Sequence, residues 1–320
     1  SGSQLPLGSV ATRANLLKIY EKRMEDDGGA LKVLDELTEN SALYSKIVGL
    51  DREGLDSELS QQLLELSRAQ GVASYLMLLF LFKKKDQLEL EDETLAFIVK
   101  LLVCFFVRRN LTDTPPTRDL ERLFISICEN LESESFKGIA AAKYIKKRLV
   151  DVSASDASFK ERLEGPIYDV NPDMTRYILT VLASPSVTKE TKGLWDRYAS
   201  GNFVWTIEHI FPQGKNIPDE WVKMVADGDV AKAIEVQERQ VHTLGNLTIT
   251  GYNSKLSNMP FITKRDRKDA NGANVGYRNG LNLNDELINT DTWTGEQIQK
   301  RTERLVKLTL KAFDFSEIRF

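Results

Sequence analysis

The sequence predicts a mainly α protein in two parts, an N-terminal helical domain over residues 4–150 and an α+β domain over residues 201–320. Three observations carry this. Apolar residues recur at helical spacing almost without interruption from Ala11 to about Val150. Two short alternating segments, Val204-Trp205-Thr206-Ile207 and Leu247-Thr248-Ile249-Thr250, read as strands. A chain of 320 residues is also long enough to bury about two cores.

In chain order, Leu16, Leu17, Tyr20 and Met24 mark a first helix, and Leu31, Val33, Leu34 and Leu37 a second. Leu59, Leu63 and Leu66 give a third. After Gly71, Val72–Phe82 is apolar all round, the mark of a helix buried on most sides. Lys83, Lys84 and Lys85 follow, favourable at a helix C-terminus and otherwise surface. Thr94–Arg109 is stopped before Thr-Asp-Thr-Pro-Pro, since proline cannot continue a helix. Helices over Arg118–Leu131 and Ile139–Val150 complete the first part. Asp151–Ser158, rich in Ser, Asp and Ala, reads as a loop, and residues 151–200 as a linker with connecting helices at Phe159–Leu163 and Pro172–Leu182. Ser184-Pro185-Ser186 then breaks the chain. Beyond Asn253 the sequence is polar and turn-rich until Thr294–Phe313, an amphipathic helix opened by a Thr-x-x-Gln capping pattern.

Composition excludes several classes. The 43 basic and 47 acidic residues leave a net charge of −4, so any nucleic-acid role must rest on a local patch. The apolar runs Val72–Phe82 and Leu95–Val107, the latter broken by Lys100, are too short for a membrane span. Cys104 and Cys128 lie in apolar helices without metal-ligand spacing and read as reduced, buried thiols of a cytoplasmic protein. The chain opens Ser-Gly-Ser without an initiator Met, so residues 1–3 are read as an expression remnant and the chain as part of a larger protein.

The chemistry concentrates in Ile207-Glu208-His209-Ile210-Phe211-Pro212-Gln213, Val241-His242-Thr243-Leu244-Gly245-Asn246-Leu247, and Asn253-Ser254-Lys255-Leu256-Ser257-Asn258. Both histidines of the chain fall here. Adjacent strand residues face opposite ways, so Glu208 and His209 share a target only if the chain turns, and Pro212 fits such a turn. A carboxylate with a carboxamide oxygen suits Mg²⁺ or Mn²⁺, and a neutral imidazole beside that ion can take a proton from water. Together these describe phosphodiester hydrolysis.

These segments resemble the HNH (ββα-metal) nuclease motif, and more specifically the C-terminal nuclease domain of the GmrSD-type anti-phage restriction family. Phe106-Val107-Arg108-Arg109 and Arg176-Tyr177-Ile178-Leu179 extend the resemblance into the helical region. It implies a ββα-metal element within the second domain and a nucleotide-dependent sensing domain as partner. It further implies a DNA substrate, modified phage DNA among the candidates, and homo-oligomerisation as one route to a double-strand break. Residue by residue, His209 matches the general base, Glu208 the first metal ligand and Asn246 the central Asn that braces the loop. Asn253 matches the last metal ligand, with Asn258 competing for that place. His242 is assigned either a structural hydrogen bond or a phosphate contact. Lys264 matches a family lysine.

Between Arg239 and Arg278 seven basic residues face two acidic ones, a net of +5 that leaves −9 for the rest of the chain. Lys255, Lys264, Arg265, Arg267 and Lys268 are accordingly expected to contact nucleic acid. The expected function is a metal-dependent HNH endonuclease that nicks DNA. The competing expectation is a non-catalytic nucleic-acid-binding or partner-docking module on the same scaffold.

Overall fold

The computed structural model describes residues 14–26, 29–186 and 193–320. Its contacts divide the chain into two compact units. One comprises residues 1–109, 113–153 and 315–320, the other residues 110–112 and 154–314.

The first unit is helical among its described residues: α1 (Leu16–Asp26), α2 (Ala30–Val48), α3 (Ser57–Arg68), α4 (Tyr75–Lys83), α5 (Asp92–Thr112), α6 (Thr117–Ser133) and α7 (Gly138–Val152). The start of the first helical run, Ala11–Arg13, lies outside the described residues. Of the apolar stretch Val72–Phe82, the first three residues form a 3₁₀ turn and the rest α4. Helix α5 is the unit's core, with Leu95, Ile98, Val99, Leu101, Leu102, Phe105 and Val107 fully buried and Lys100 exposed. Each buried Leu or Phe contributes about 1.5–3 kcal/mol over leaving it in water. Cys104 is buried and Cys128 half-buried, both free thiols; burial pushes the Cys128 thiol up to about 12.

The Lys83–Lys85 run is not idle surface. Lys83 pairs with Glu36 at 2.8 Å, and Glu36 also takes Arg23 at 2.6 Å, which joins α1, α2 and α4. Lys85 pairs with Asp92 at 2.6 Å. Arg109 fastens the turn after α5 by donating to the Pro115 carbonyl at 3.0 Å and the Thr117 hydroxyl at 2.6 Å.

The second unit opens with α8 (Asp156–Glu164), α9 (Ile167–Val170) and α10 (Pro172–Ala183). This corrects the loop expected over Asp151–Ser158. Helix α7 runs on to Val152, and the Ser155 hydroxyl caps α8 by accepting from Ser158 N at 3.2 Å. Serine and aspartate that look like linker are here a helix start. Strand β1 (Thr206–His209) begins two residues later than expected, whereas β2 (Leu247–Thr250) falls where predicted; the two pair antiparallel. Between them lie α11 (Asp219–Ala226) and α12 (Val230–Gln240), and beyond them α13 (Asn253–Leu256), α14 (Phe261–Asp266), α15 (Asp285–Ile288) and α16 (Gly295–Ala312). Thr294 caps α16 with the expected reciprocal Thr–Gln297 box.

Behind the β hairpin sits a core of Ile210, Phe211, Trp221, Leu256, Phe261, Tyr277, Leu287, Trp293 and Ile298. Arg176, 5 % exposed, holds the chain entering β1 by donating to the carbonyls of Leu194 (2.6 Å) and Trp205 (3.1 Å) while its guanidinium lies over Phe203. No described helix is long and apolar enough to cross a membrane.

Candidate active site

Strand β1 ends in Glu208 and His209, set opposite Thr248 and Leu247 of β2. Strand alternation sends the two side chains to different partners, although both reach the wall of one cleft of about 530 Å³. Glu208 accepts from Lys264 of α14 at 2.7 Å, and the same ammonium donates to the carbonyls of His209 (2.9 Å) and Ile210 (3.1 Å). Lys264 is fully buried. It stitches the end of β1 to α14, so in place of the exposed basic side chain expected for a phosphate contact, Lys264 is a buried cation spent on an equally buried carboxylate. Burial pushes the Glu208 carboxyl up and the Lys264 ammonium down, and their mutual attraction offsets part of each effect. The fully buried Tyr277 hydroxyl is pushed well above its ordinary value by burial and by the charge of Glu208.

His209 turns to the other histidine, with Nε2 at 3.0 Å from Nδ1 of His242. Burial, helped by His242 and the Lys264 charge, takes its pKa down to about 3, so the imidazole is neutral. The residues after it are fastened by Asn246. The Asn246 carbonyl accepts from Ile210 N at 2.9 Å, and its side-chain Oδ1 accepts from Phe211 N at 2.8 Å. Its Nδ2 donates to the carbonyls of Phe211 (2.9 Å) and Val241 (3.0 Å). Gly245, just before it, lies against α16 so closely that a Cβ would run into the Ile298 carbonyl and Thr302. From the same helix the buried Arg301 donates to the carbonyls of Gly245 (2.7 Å) and Leu247 (2.8 Å).

Asn253 opens α13 and lines the cleft, its Nδ2 donating to the Ile207 carbonyl at 2.6 Å. Asn258 lines the same cleft beside Gly214. Glu208, His209, Asn253 and Asn258 are thus brought together, with Asn246 behind them as a brace and His242 against His209.

The predicted basic patch is dispersed. Arg265 is 8 % exposed and is spent on Asp266 and Asp291, both at 2.6 Å, and on the Thr290 carbonyl. Arg278 also pairs with Asp266 at 2.6 Å, so two guanidinium groups hold the Asp266 carboxyl down at about 2. Arg267 is half-buried and donates to the Met259 sulfur, whereas Lys268 is exposed. The Lys255 side chain lies outside what the structure describes.

Sequence reading missed Tyr168 and Asp169 of α9. The Tyr168 ring stacks on His242 at 5.3 Å and meets His209 edge-on at 4.8 Å. Asp169 Oδ1 lies 3.6 Å from His242 Nε2. No local signal marks this pair; only the Gly165-Pro166 break before it hints at a turn.

The assembly offers an imidazole at a cleft wall and, nearby, two carboxamides (Asn253 and Asn258) and a carboxylate already paired with Lys264, all with oxygens of the kind that ligate a hard cation. Among the described residues no three His, Cys, Asp or Glu side chains form a metal-binding group. Comparison of the chain with curated proteins gave no match. The family model described as GmrSD restriction endonucleases, C-terminal domain, does match, over a span that nearly coincides with the second compact unit. The match covers residues 153–308 of this chain, which are thus similar to the GmrSD restriction endonuclease C-terminal domain family.

Proposed function

We propose that the second unit is a metal-assisted nuclease of the HNH (ββα-metal) type, hydrolysing DNA phosphodiester bonds in bacterial defence against phage. The observation that carries this reading is geometric: His209 stands at the cleft wall and the turn that follows it is fastened by Asn246. His209 accepts a proton from water as the water oxygen attacks phosphorus, and the 3′-oxygen leaves and takes a proton from solvent. The products carry 5′-phosphate and 3′-hydroxyl ends. One cleft cuts one strand, so the immediate product is a nick, and a break in both strands takes two events or two copies. A nucleotide-dependent sensing domain acting on modified phage DNA fits the same reading.

The donor set fits a hard divalent cation, Mg²⁺ or Mn²⁺, which keeps most of its waters and needs few protein oxygens. It does not fit a closed Zn²⁺ site rich in imidazole or thiolate. Glu208 and Asn253 would hold the ion, with Asn258 the alternative to Asn253, and the ion would share Glu208 with Lys264. When bound there, it supplies charge stabilisation for the phosphate oxygens. The ion pair that already engages Glu208 favours the competing reading, a nucleic-acid-binding module without catalysis.

One assay separates them. Supercoiled plasmid should be nicked in Mg²⁺ or Mn²⁺, left intact in excess chelator, and left intact by folded His209→Ala. Equal nicking by His209→Ala removes the base; absence of nicking by the parent protein under every metal condition leaves the binding module.

A further inference from the structure

Helix α9 is far from β1 in sequence, yet it closes around the histidine pair, and nothing in the hydrolytic scheme above uses it. A neutral imidazole has one donor and one acceptor nitrogen, so across the 3.0 Å contact one of His209 Nε2 and His242 Nδ1 donates and the other accepts. The far side of His242 decides which. Its Nε2 faces the Asp169 carboxylate at 3.6 Å, and a carboxylate favours a proton on the nitrogen it faces. With that proton on Nε2, Nδ1 of His242 is an acceptor, and His209 must donate from its own Nε2. The lone pair left on His209 is then on Nδ1.

Tyr168 supplies the geometry. Its ring lies nearly parallel to His242, 14° between planes, and at 82° to His209. Its backbone N also donates to the His242 carbonyl at 3.3 Å. One helical turn therefore bonds the His242 backbone, stacks on its ring and sets a carboxylate 3.6 Å from its outer nitrogen. We propose that Tyr168 and Asp169 are positioning residues. They hold His242 as the Nε2–H tautomer, which accepts from His209 Nε2–H and leaves His209 Nδ1 as the nitrogen that takes the proton from water. The last step of this inference rests on His209 being the base.

The chain's two histidines make the test direct. Long-range ¹H–¹⁵N spectra of the uniformly labelled protein resolve four ring nitrogens, and the proposal expects each ring to carry its proton on Nε2, with Nδ1 bare. Asp169→Asn and Tyr168→Ala should mix the tautomers and lower kcat about tenfold with little change in KM for DNA, as for other supporting residues behind a reacting group. Tyr168→Phe, which keeps the ring, should recover most of what Ala loses. A parent spectrum with the His209 proton on Nδ1, or both variants retaining full kcat, overturns the proposal. If instead His209→Ala still nicks DNA, the hydrolytic reading falls, whereas the tautomer assignment is judged by the spectrum alone.

Discussion

At the scale of single residues, His209 and Asn246 have different work, and their variants should separate. His209→Ala removes a buried ring that contacts Tyr168 and hydrogen-bonds the half-buried His242, so stability should fall by about 1–2 kcal/mol. Asn246→Ala leaves the N–H and carbonyl of Phe211 and the carbonyl of Val241 buried without their partner. At about 1–3 kcal/mol for each orphaned group, the loss should reach at least about 3 kcal/mol. Urea denaturation of the two variants checks this, and equal midpoints would remove the brace. Lys264→Met strands a buried carboxylate and should cost about 3–5 kcal/mol, with most of it restored when Glu208→Gln is added, because the penalty comes from the unpaired charge. The motif residues were legible because their types and spacing are local. Lys264 was misread because a composition count cannot see that its partner is buried with it, and Tyr168 and Asp169 were invisible because tertiary folding alone brings α9 to His242.

The elements around the site are held by close backbone approach as much as by side chains. The turn carrying Gly245 and Asn246 presses on α16, where Thr302 accepts from Gly245 N at 3.1 Å and Arg301 spans to β2. Gly245→Ala puts a methyl into the Ile298 carbonyl and Thr302, so either the turn or the helix must move. Overpacking of this kind costs about 1–3 kcal/mol, and here the displaced turn carries Asn246 with it. The expected outcome is a lower thermal midpoint together with slower nicking; unchanged values for both would show that the turn has room to shift. Helix α16 itself was readable from its capping box and amphipathic stripe. Helices α11 and α12 were not legible because each shows only a short apolar pattern, Trp221, Val222 and Val225 in the first and Ala233 and Val236 in the second, separated by Asp227-Gly228-Asp229. Helix α8 was read as Phe159–Leu163, short at its start because a serine that caps a helix and a serine in a linker look alike until the following N–H groups are placed.

For the molecule as a whole, the question is how a chain of net −4 would hold a polyanion. Seven basic residues between Arg239 and Arg278 suggest a broad docking surface, but most are already committed. Lys264 is buried on Glu208, Arg265 and Arg278 converge on Asp266, and Arg239 pairs with Glu235 at 3.1 Å. Among the described side chains of that stretch, Arg267 and Lys268 carry no carboxylate partner in the structure. Each phosphate neutralised releases a counterion, so the logarithm of the DNA binding constant falls against the logarithm of salt with a slope of about −0.9 per contact. If the whole stretch met phosphate, a slope near −6 would follow; the structure instead leads to about −2 to −3, allowing for one contact outside the stretch. Fluorescence anisotropy of a labelled duplex with the His209→Ala protein in chelator, between 50 and 200 mM salt on the order used for such measurements, reads the slope without cleavage. Lys268→Ala should flatten it by about one contact, whereas Arg265→Ala should leave the slope alone and act through the fold. A parent slope of about −4 or steeper would mean that the arginines held by Asp266 let go of it to bind DNA, and the committed ion pairs would then be the resting state of the docking surface.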